Sequence, residues 1–313
     1  MDKNIYSQKL QEVQNEINKI IKGKSHVVQK VLAAVISGGH ILMEDIPGVG
    51  KTTLATTFAK ALSLKYKRVQ FTPDVLPSDI LGFSMYDNKS GDFQFREGSV
   101  FCNLFLADEI NRTSPKTQSA LLEVMEENSA TVEGVTRQLP KPFIVIATEN
   151  PTGSSGTQML PESQLDRFMV CLSMGYPMHE DAVSILKGEA TRSTTPINAV
   201  LSADELCEIR KYTDELFVHE SIYDYIVSLV EETRRNPLFA MGGSPRAMIA
   251  LLRISRAMAV LNGREFVIPQ DIQSVIYDVL SHRVKISARA RAEGMTTELA
   301  IQRLTEIVKA PRM

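Results

Sequence analysis

The sequence has few of the features that mark a secreted or membrane-spanning protein. Its 313 residues include only three cysteines, Cys102, Cys171 and Cys207, which show neither metal-ligand spacing nor a disulfide framework. No stretch approaches the length of a membrane span, and the N-terminal residues lack the apolar core of a signal peptide. We therefore expect a soluble, cytoplasmic protein in which the cysteines fill structural positions.

An excess of charge is also missing. The formal net charge is -2 and no long run carries a single sign, which argues against nucleic acid as the main partner. The basic segment from Arg283 to Arg291 is short and lacks interleaved aromatic residues, so we interpret it as a solvated face. The five histidines are scattered without partners at catalytic spacing, and we assign them structural positions.

What the chain does contain is a phosphate-binding pattern between residues 41 and 55. An apolar strand leads into a Pro/Gly turn and a helix, so that bare backbone N–H groups and a helix N-terminus would face an anion. Lys51 would supply a charge for the β- and γ-phosphates of a nucleotide, and the Thr52 hydroxyl would ligate Mg²⁺. The pattern departs at Asp45, where the full motif has glycine. A strand–turn–helix corner with a chance lysine is the competing interpretation. The candidate nucleotide-binding residues are Asp45, Pro47, Gly48, Val49, Gly50, Lys51, Thr52 and Thr53.

Two further apolar strands end in polar residues. The strand at 100–107 continues into Asp108 and Glu109, and the strand at 143–147 is followed by Asn150. The alternation of strands and helices up to residue 176 predicts a parallel sheet that binds its ligand at the carboxyl ends of the strands. Asp108 fits the role of holding Mg²⁺ and Glu109 that of a general base, while Asn150 could contact the γ-phosphate or orient the attacking water. Solvated strand ends are the alternative.

Phosphoryl transfer needs more positive charge than Lys51 supplies, and two arginines are candidates. Arg167 follows a short predicted helix, where its side chain can point into the site of a neighbouring subunit. Arg246 lies in the first turn of a helix that opens with Ser244-Pro245. For each arginine a surface salt bridge is the alternative.

The remaining pattern divides the chain into two domains, 1–187 and 188–313, separated by a polar connection without periodicity. The first domain also contains two predicted hairpins, at 84–98 and 130–138, and a Gly/Ser/Thr-rich mobile loop at 152–158. Capping boxes are predicted at Ser202 with Glu205 and at Ser221 with Asp224. The predicted helices span 5–21, 27–37 (capped by Ser25), 115–128 (capped by Ser114, with Pro115 in the first turn), 203–216, 222–235, 245–262, 269–282 and 296–309. A strand is also predicted at 66–71.

Taken together, these stretches resemble the MoxR family of AAA+ ATPases. The matching segments occur in family order and span nearly the whole chain. They are EDIPGVGKT (44–52), QFTPDVLPSD (70–79), FLADEINR (105–112), IATENP (146–151), LPESQLDRF (160–168) and GSPR (243–246).

The resemblance implies an α/β fold, in which an AAA+ P-loop domain with a parallel sheet is followed by an all-helical lid. It makes the loop around Lys51 the Walker A motif and Asp108-Glu109 the Walker B motif. Asn150 becomes the sensor-1 residue, Arg167 the arginine finger acting on a neighbour, and Arg246 the sensor-2 arginine from the lid. The two hairpins would face a central pore.

A resemblance of this kind also implies partners and a function. ATP and Mg²⁺ would bind between subunits of a homo-oligomeric ring, a hexamer by analogy. Family members act as chaperone-like ATPases that assemble, activate or insert metal into protein complexes, often with a separate protein that carries a von Willebrand A domain. Two alternatives stay open: a nucleotide-gated binding module whose turnover is incidental, and a DNA- or transcription-directed AAA+ protein.

Overall fold

The computed structural model describes residues 4–46, 48–150, 159–187 and 196–312. Up to residue 187 the helices and strands are, in chain order, α1 (Asn4–Asn18), α2 (Ser25–Ile36), β1 (Ile41–Glu44), α3 (Lys51–Ala61), β2 (Tyr66–Gln70), α4 (Pro77–Leu81), β3 (Gly82–Asp87), β4 (Asp92–Glu97), β5 (Leu104–Asp108), α5 (Pro115–Glu127), β6 (Ser129–Val132), β7 (Val135–Gln138), β8 (Ile144–Glu149), α6 (Glu162–Leu165), β9 (Val170–Leu172) and α7 (His179–Leu186).

A lid follows this α/β part. Its elements are α8 (Ala203–Asp214), α9 (Glu220–Arg235), β10 (Phe239–Met241), α10 (Pro245–Leu261), α11 (Pro269–Leu280), β11 (Lys285–Ile286), α12 (Ala288–Ala292) and α13 (Thr297–Ile307). The lid is helical apart from β10 and β11, which form a short antiparallel ribbon. The predicted fold class is confirmed.

Five parallel strands form the central sheet in the order β2-β5-β8-β1-β9. Side chains alternate between its two faces, as the pleat requires. In β5, Leu104 and Leu106 belong to one hydrophobic cluster, whereas Phe105 and Ala107 belong to the other. Because helices cover both faces, the strands carry continuous apolar runs, which is what the sequence shows.

The first of these clusters continues into the lid. It contains residues from α1, α2 and α3 on one face of the sheet together with residues from α8, α10 and α11. Helix α2 contacts both α8 and α10, and α11 contacts β9, so the lid packs against this side of the α/β part. The predicted domain boundary at 187/188 adjoins residues outside the described part of the chain, and the loop predicted at 152–158 lies outside it, so both stay predictions.

Several predictions that rest on short-range sequence signals are confirmed. Ser114 caps α5 by accepting from the Thr117 N–H, with Pro115 in the first helical position. The Ser202–Glu205 capping box is present at α8. Both hairpins form, as β3–β4 and β6–β7. No helix in the described ranges has the length and apolarity that crossing a bilayer requires.

Other local predictions are wrong. Strand β5 starts at Leu104 rather than at residue 100, because Ser99 and Val100 donate backbone hydrogen bonds to the carbonyls of Asp79 and Ile80 in α4. The Ser221–Asp224 capping box is absent from α9, whose N-cap is His219, a ring that accepts from the Ser221 N–H.

Helix boundaries and one surface assignment also needed correction. Ser25 is the first residue of α2 and not its cap. Helices α7 and α12 were not predicted. Arg283, which we assigned to a solvated face, is 5% exposed and holds the lid against the α/β part.

Candidate functional site

The carboxyl edge of the sheet brings together three of the predicted site segments. Strands β1, β5 and β8 are adjacent and parallel, with Glu44 opposite Glu149 and Ala107 opposite Ala147. The loop after β1, the acids Asp108 and Glu109 that end β5, and Asn150 after β8 therefore lie at one edge. This is the edge at which parallel α/β sheets bind their ligands.

The loop after β1 has the geometry of a phosphate cradle. Gly48 and Gly50 have φ angles of 86° and 96°, in the left-handed region that side chains avoid, and Gly50 is the N-cap of α3. Among the described residues no side chain caps α3, so the N–H groups of its first turn, which includes Thr52 and Thr53, are available to an anion. Val49 is half-buried against the core, and Pro47 lies outside the described residues.

Asp45, which replaces the expected glycine, anchors this loop. Its buried carboxylate accepts hydrogen bonds from the Ser173 hydroxyl at 2.7 Å and from the N–H groups of Met174 and Gly175 at 2.7 and 3.0 Å. Its main-chain oxygen accepts from Lys51 Nζ at 2.9 Å. The Asp45 carboxylate therefore anchors the start of the loop to the segment after β9, and its main-chain oxygen binds Lys51.

Lys51 lies among acids from separate elements. Burial lowers the pKa of Lys51, while the carboxylates of Asp45, Asp108 and Glu109 oppose that shift by favouring the charged ammonium group. Lys51 is thus close enough to both acids at the end of β5 for its charge to act on them. In this arrangement a phosphate at the N-terminus of the helix would contact the lysine, and a metal ion held by the carboxylates would lie next to that phosphate.

Asp108 is held on both of its carboxylate oxygens. The Thr148 hydroxyl donates to Oδ1 at 2.7 Å, and Arg68 donates to Oδ2 from Nε at 3.1 Å and from Nη2 at 2.7 Å. Asp108 itself is 8% exposed. These contacts fix the carboxylate at the edge of the sheet, with Thr148 on one neighbouring strand and Arg68 on the other.

Glu109 adopts an unusual backbone conformation. Its φ and ψ are 56° and 52°, in the left-handed region, where a residue other than glycine is strained. The Glu109 N–H donates to the Thr148 hydroxyl at 2.8 Å, which sustains the turn. Its side-chain Oε2 accepts from Gln70 Nε2 at 2.8 Å and from Arg112 Nη1 at 2.7 Å. The strain directs the carboxylate away from the line of β5.

Behind the loop, Glu44 and Glu149 form a buried acidic pair. Burial raises the pKa of Glu149 to about 7, and the charge of Glu44 adds to the shift. The pKa of Glu44 is also raised by burial, against the effect of a hydrogen bond from Cys171. The next residue, Asn150, accepts at its main-chain oxygen from Asn111 Nδ2 at 3.4 Å.

Arg167 and Arg246 lie at the opposite edge. Val170 pairs with Ile41, and the Met169 N–H donates to the His40 carbonyl, so Arg167 precedes the amino end of β9. Strands of four to six residues separate the two edges by about 13–20 Å. The structure therefore brings the two arginines together, away from the phosphate loop of their own chain.

A single carboxylate joins the two arginines. Glu126, in the last turn of α5, forms ion pairs with Arg246 and, at 3.2 Å, with Arg167. These residues line a cavity of about 270 Å³ that is also lined by Arg253, Arg283 and Asp166. The cavity thus carries four arginines against two acids.

The loop that carries Arg167 is docked against the lid. The Asp166 carboxylate accepts from the Ser244 hydroxyl at 2.9 Å and from Arg283 Nε at 2.8 Å. Arg283 also donates to the carbonyls of Met169 and Val279. Asp166 and Ser244 each lie within two residues of a candidate catalytic arginine, so this contact sets the position of both.

Sequence reasoning missed the residues that hold the candidate groups in place. They are Arg68, Gln70, Arg112, Glu126, Thr148, Asp166, Ser244 and Arg283. Arg68 and Gln70 share one face of β2 beside β5, and that spacing was the available signal. Nothing local pointed to Glu126, whose partners are distant in sequence.

Comparison with known proteins agrees with this geometry. Residues 40–170 match the ATPase family associated with various cellular activities (AAA), and residues 231–304 match the AAA lid domain. The chain is 43% identical to the uncharacterized protein YeaC of Bacillus subtilis, over 94% of this chain and 92% of the relative. It is 38% identical to the chaperone MoxR1 of Mycobacterium tuberculosis, over 95% and 81%. A solved structure from Cytophaga hutchinsonii, provisionally named an ATPase, superposes with a TM-score of 0.91 at 36% identity, over 99% of this chain and 98% of that one.

Proposed function

The chain belongs to the MoxR family of AAA+ ATPases, and on that premise we propose that it hydrolyses ATP at a composite site between two subunits. The observation that carries the proposal is the placement of Arg167 and Arg246 at the sheet edge opposite the phosphate loop. A chain with this geometry holds one half of a site at each edge. Two chains in head-to-tail contact would complete one site, and repetition of that contact generates a ring.

The half-site at the carboxyl edge binds the nucleotide. Backbone N–H groups from Gly48 to Thr53 would contact the phosphates, and Lys51 would place its charge between the β- and γ-phosphates. The Thr52 hydroxyl and the Asp108 carboxylate are the hard oxygen donors that Mg²⁺ prefers, so they fit the metal. When bound, Mg²⁺ neutralises charge on the β- and γ-phosphate oxygens.

Within this half-site, Glu109 would accept the proton of the attacking water. Gln70 and Arg112 both bind Oε2 of Glu109, an arrangement that holds the carboxylate in one orientation and presents Oε1 to the water. Asn150 would donate to the γ-phosphate or to that water. Arg167 and Arg246 of the neighbouring subunit would stabilise the charge that develops on the transferred phosphoryl group.

The base is tested with Glu109→Gln. Turnover should fall by about 10²–10⁴-fold while binding of ATP persists, because the amide keeps the size of the side chain and removes the base. Steady-state phosphate release and equilibrium binding of a fluorescent ATP analogue measure the two effects. Equal turnover of Glu109→Gln and wild type would refute the assignment.

The composite site is tested by mixing two inactive variants. Lys51→Ala lacks the nucleotide half-site but keeps its arginines, and Arg167→Ala has the reverse defect. Mixed assemblies should regain activity, because some interfaces combine an intact loop with an intact arginine. Each variant alone at the same total concentration is the control, and absence of any regain would contradict a site shared between subunits.

We further propose that turnover remodels, assembles or activates a partner protein complex. The name of the mycobacterial relative, a chaperone, supports this proposal. A hexameric ring, a cytoplasmic location and a separate partner with a von Willebrand A domain belong to the same proposal. Affinity capture with Glu109→Gln in the presence of ATP should retain a client that wild type releases. Identical captured proteins with and without ATP would count against nucleotide-driven remodelling.

A further inference from the structure

One carboxylate connects the two arginines that the composite site requires. Arg246 Nη2 donates to Oε1 of Glu126, and Arg167 Nη2 lies 3.2 Å from Oε2. Arg167 belongs to the α/β part and Arg246 to the lid, so the residue links side chains from two parts of the chain. The two oxygens face one arginine each, as two oxygens of a terminal phosphate would.

The backbone that carries Glu126 is held in place by contacts with the core. Glu126 lies in the last turn of α5, and the preceding residues Leu122 and Met125 are buried in the core. The Met125 carbonyl bonds to Nε2 of the buried His40 ring at 2.9 Å, and the Val145 N–H donates to its Nδ1 at 3.0 Å. The backbone beneath Glu126 is therefore tied to β8 and to the residue before β1, at the amino edge of the sheet.

The surrounding charges explain why such a link is needed. Four arginines and two acids line the cavity, so its lining has an excess of positive charge and the guanidinium groups repel each other. Arg167 also has a buried Nε for which no hydrogen-bond partner exists among the described residues. A buried donor without an acceptor indicates a site that gains an acceptor from elsewhere.

We propose that Glu126 is a positioning residue that holds Arg167 and Arg246 side by side, so that they engage the terminal phosphate of a neighbouring subunit as one unit. This inference rests on the proposed composite site. Each arginine has five N–H donors and uses one Nη2 group on Glu126, which leaves other donors for the phosphate. Long side chains that are already ordered lose less conformational freedom when the phosphate is bound.

The test adds Glu126→Gln to one of the two variants of the mixing experiment at a time. In the Lys51→Ala chain, which supplies the arginines, it should lower the regained kcat by about 10–100-fold, because catalytic groups displaced by about 1 Å lose rate on that scale. In the Arg167→Ala chain, which supplies the nucleotide half-site, it should have no effect. A loss that is equal in both placements would indicate a general structural defect and overturn the proposal.

Single-variant kinetics complete the test. Glu126→Gln alone should lower kcat with the KM for ATP nearly unchanged, and Glu126→Asp should retain more activity than Glu126→Gln. Glu123→Gln and Glu127→Gln, exposed acids on the same helix, are matched controls and should behave as wild type. An unchanged kcat for Glu126→Gln would overturn the proposal. A raised kcat would also overturn it, because Glu126 would then inhibit turnover.

Failure of the composite site itself gives a different result. In that case the mixture regains no activity whatever residue is at position 126. The effect of Glu126→Gln is then measured in the double variant Arg167→Ala Arg246→Ala, from the residual turnover of that variant. If Glu126→Gln lowers kcat in wild type and has no further effect in this background, it acts through the arginines. If it lowers kcat in both, the coupling is refuted.

Discussion

At the scale of single residues, Asp45 shows how a departure from a motif can be structural. Glycine at this position would free the backbone, but aspartate adds a buried carboxylate with three donors from residues 173–175. The main-chain oxygen of Asp45 accepts from Lys51 Nζ, so the anchored residue also sets the direction of the lysine. The loop is therefore held by a side chain where related patterns rely on a glycine.

Restoring the glycine should weaken the loop. Asp45→Gly removes a charged acceptor from three donors, and we expect a loss of at least about 2 kcal/mol in the free energy of unfolding together with weaker ATP binding. Asp45→Asn keeps one acceptor oxygen and should lose less. Thermal denaturation and equilibrium binding of an ATP analogue measure both effects. An unchanged free energy of unfolding, or ATP binding by Asp45→Gly that is as tight as in wild type or tighter, would contradict this role of the anchor.

At the scale of elements, β1 and β8 end in acids that face each other. Glu44 and Glu149 are paired in register, and Glu149 is 2% exposed with Oε1 lacking a hydrogen-bond partner in the described part of the chain. Burial and the neighbouring charge of Glu44 both favour the protonated form of the Glu149 carboxyl group. They immediately precede Asp45 and Asn150, so their charge acts on both strands that end at the candidate site.

This acidic pair makes stability depend on pH. The pKa of Glu149 rises from 4.5 to about 7, so its contribution to stability is fully present below about pH 4.5 and is lost as the pH rises through 7. Glu149→Gln should therefore raise the free energy of unfolding at pH 8 by up to about 3 kcal/mol and change it little near pH 4.5. Chemical denaturation at both pH values measures the difference. A gain of equal size at both pH values would contradict the raised pKa of Glu149.

At the scale of the whole molecule, the lid and the α/β part form one packed unit around the Arg167 loop. Asp166 accepts from Ser244 and Arg283, and one hydrophobic cluster runs from the sheet through α2 into the lid. The lid also contacts the amino edge of the sheet directly, because α11 packs against β9 and the His282 ring bonds to the Phe168 carbonyl. Arg246 is positioned by this packing, which gives both arginines a common support.

Removal of Arg283 should loosen this unit. Arg283→Ala leaves the buried acceptors around it unsatisfied, and losses of about 3–5 kcal/mol are typical when one partner of a buried ion pair is removed. Arg291→Ala, an exposed arginine eight positions later in the same basic segment, should be nearly neutral and serves as the control. Urea denaturation compares them. Similar effects of the two substitutions would restore our original assignment of Arg283 to a solvated face.

Local sequence signals predicted most of the fold. The strands at 66–71 and 143–147, both hairpins and the caps at Ser114 and Ser202 depend on neighbours in the chain, and all are present. The error at residues 99–100 occurs because residues distant in sequence accept from their backbone N–H groups. The error at Ser221 is local, because the His219 ring caps α9 instead. Helix α12 has only five residues, too few to show a periodic pattern.

The sequence by itself determined the parts of the candidate site: the phosphate loop, the acids Asp108 and Glu109, and the arginines Arg167 and Arg246. These groups follow from short motifs, because their chemistry requires particular residue types at fixed spacing. Only the tertiary structure decided their arrangement. The parallel sheet separates its two edges, so the loop and the arginines of one chain lie apart, and packing of α5 against the lid places Glu126 between the arginines. Such contacts depend on how the elements pack, and this packing cannot be deduced from the spacing of residues along the chain.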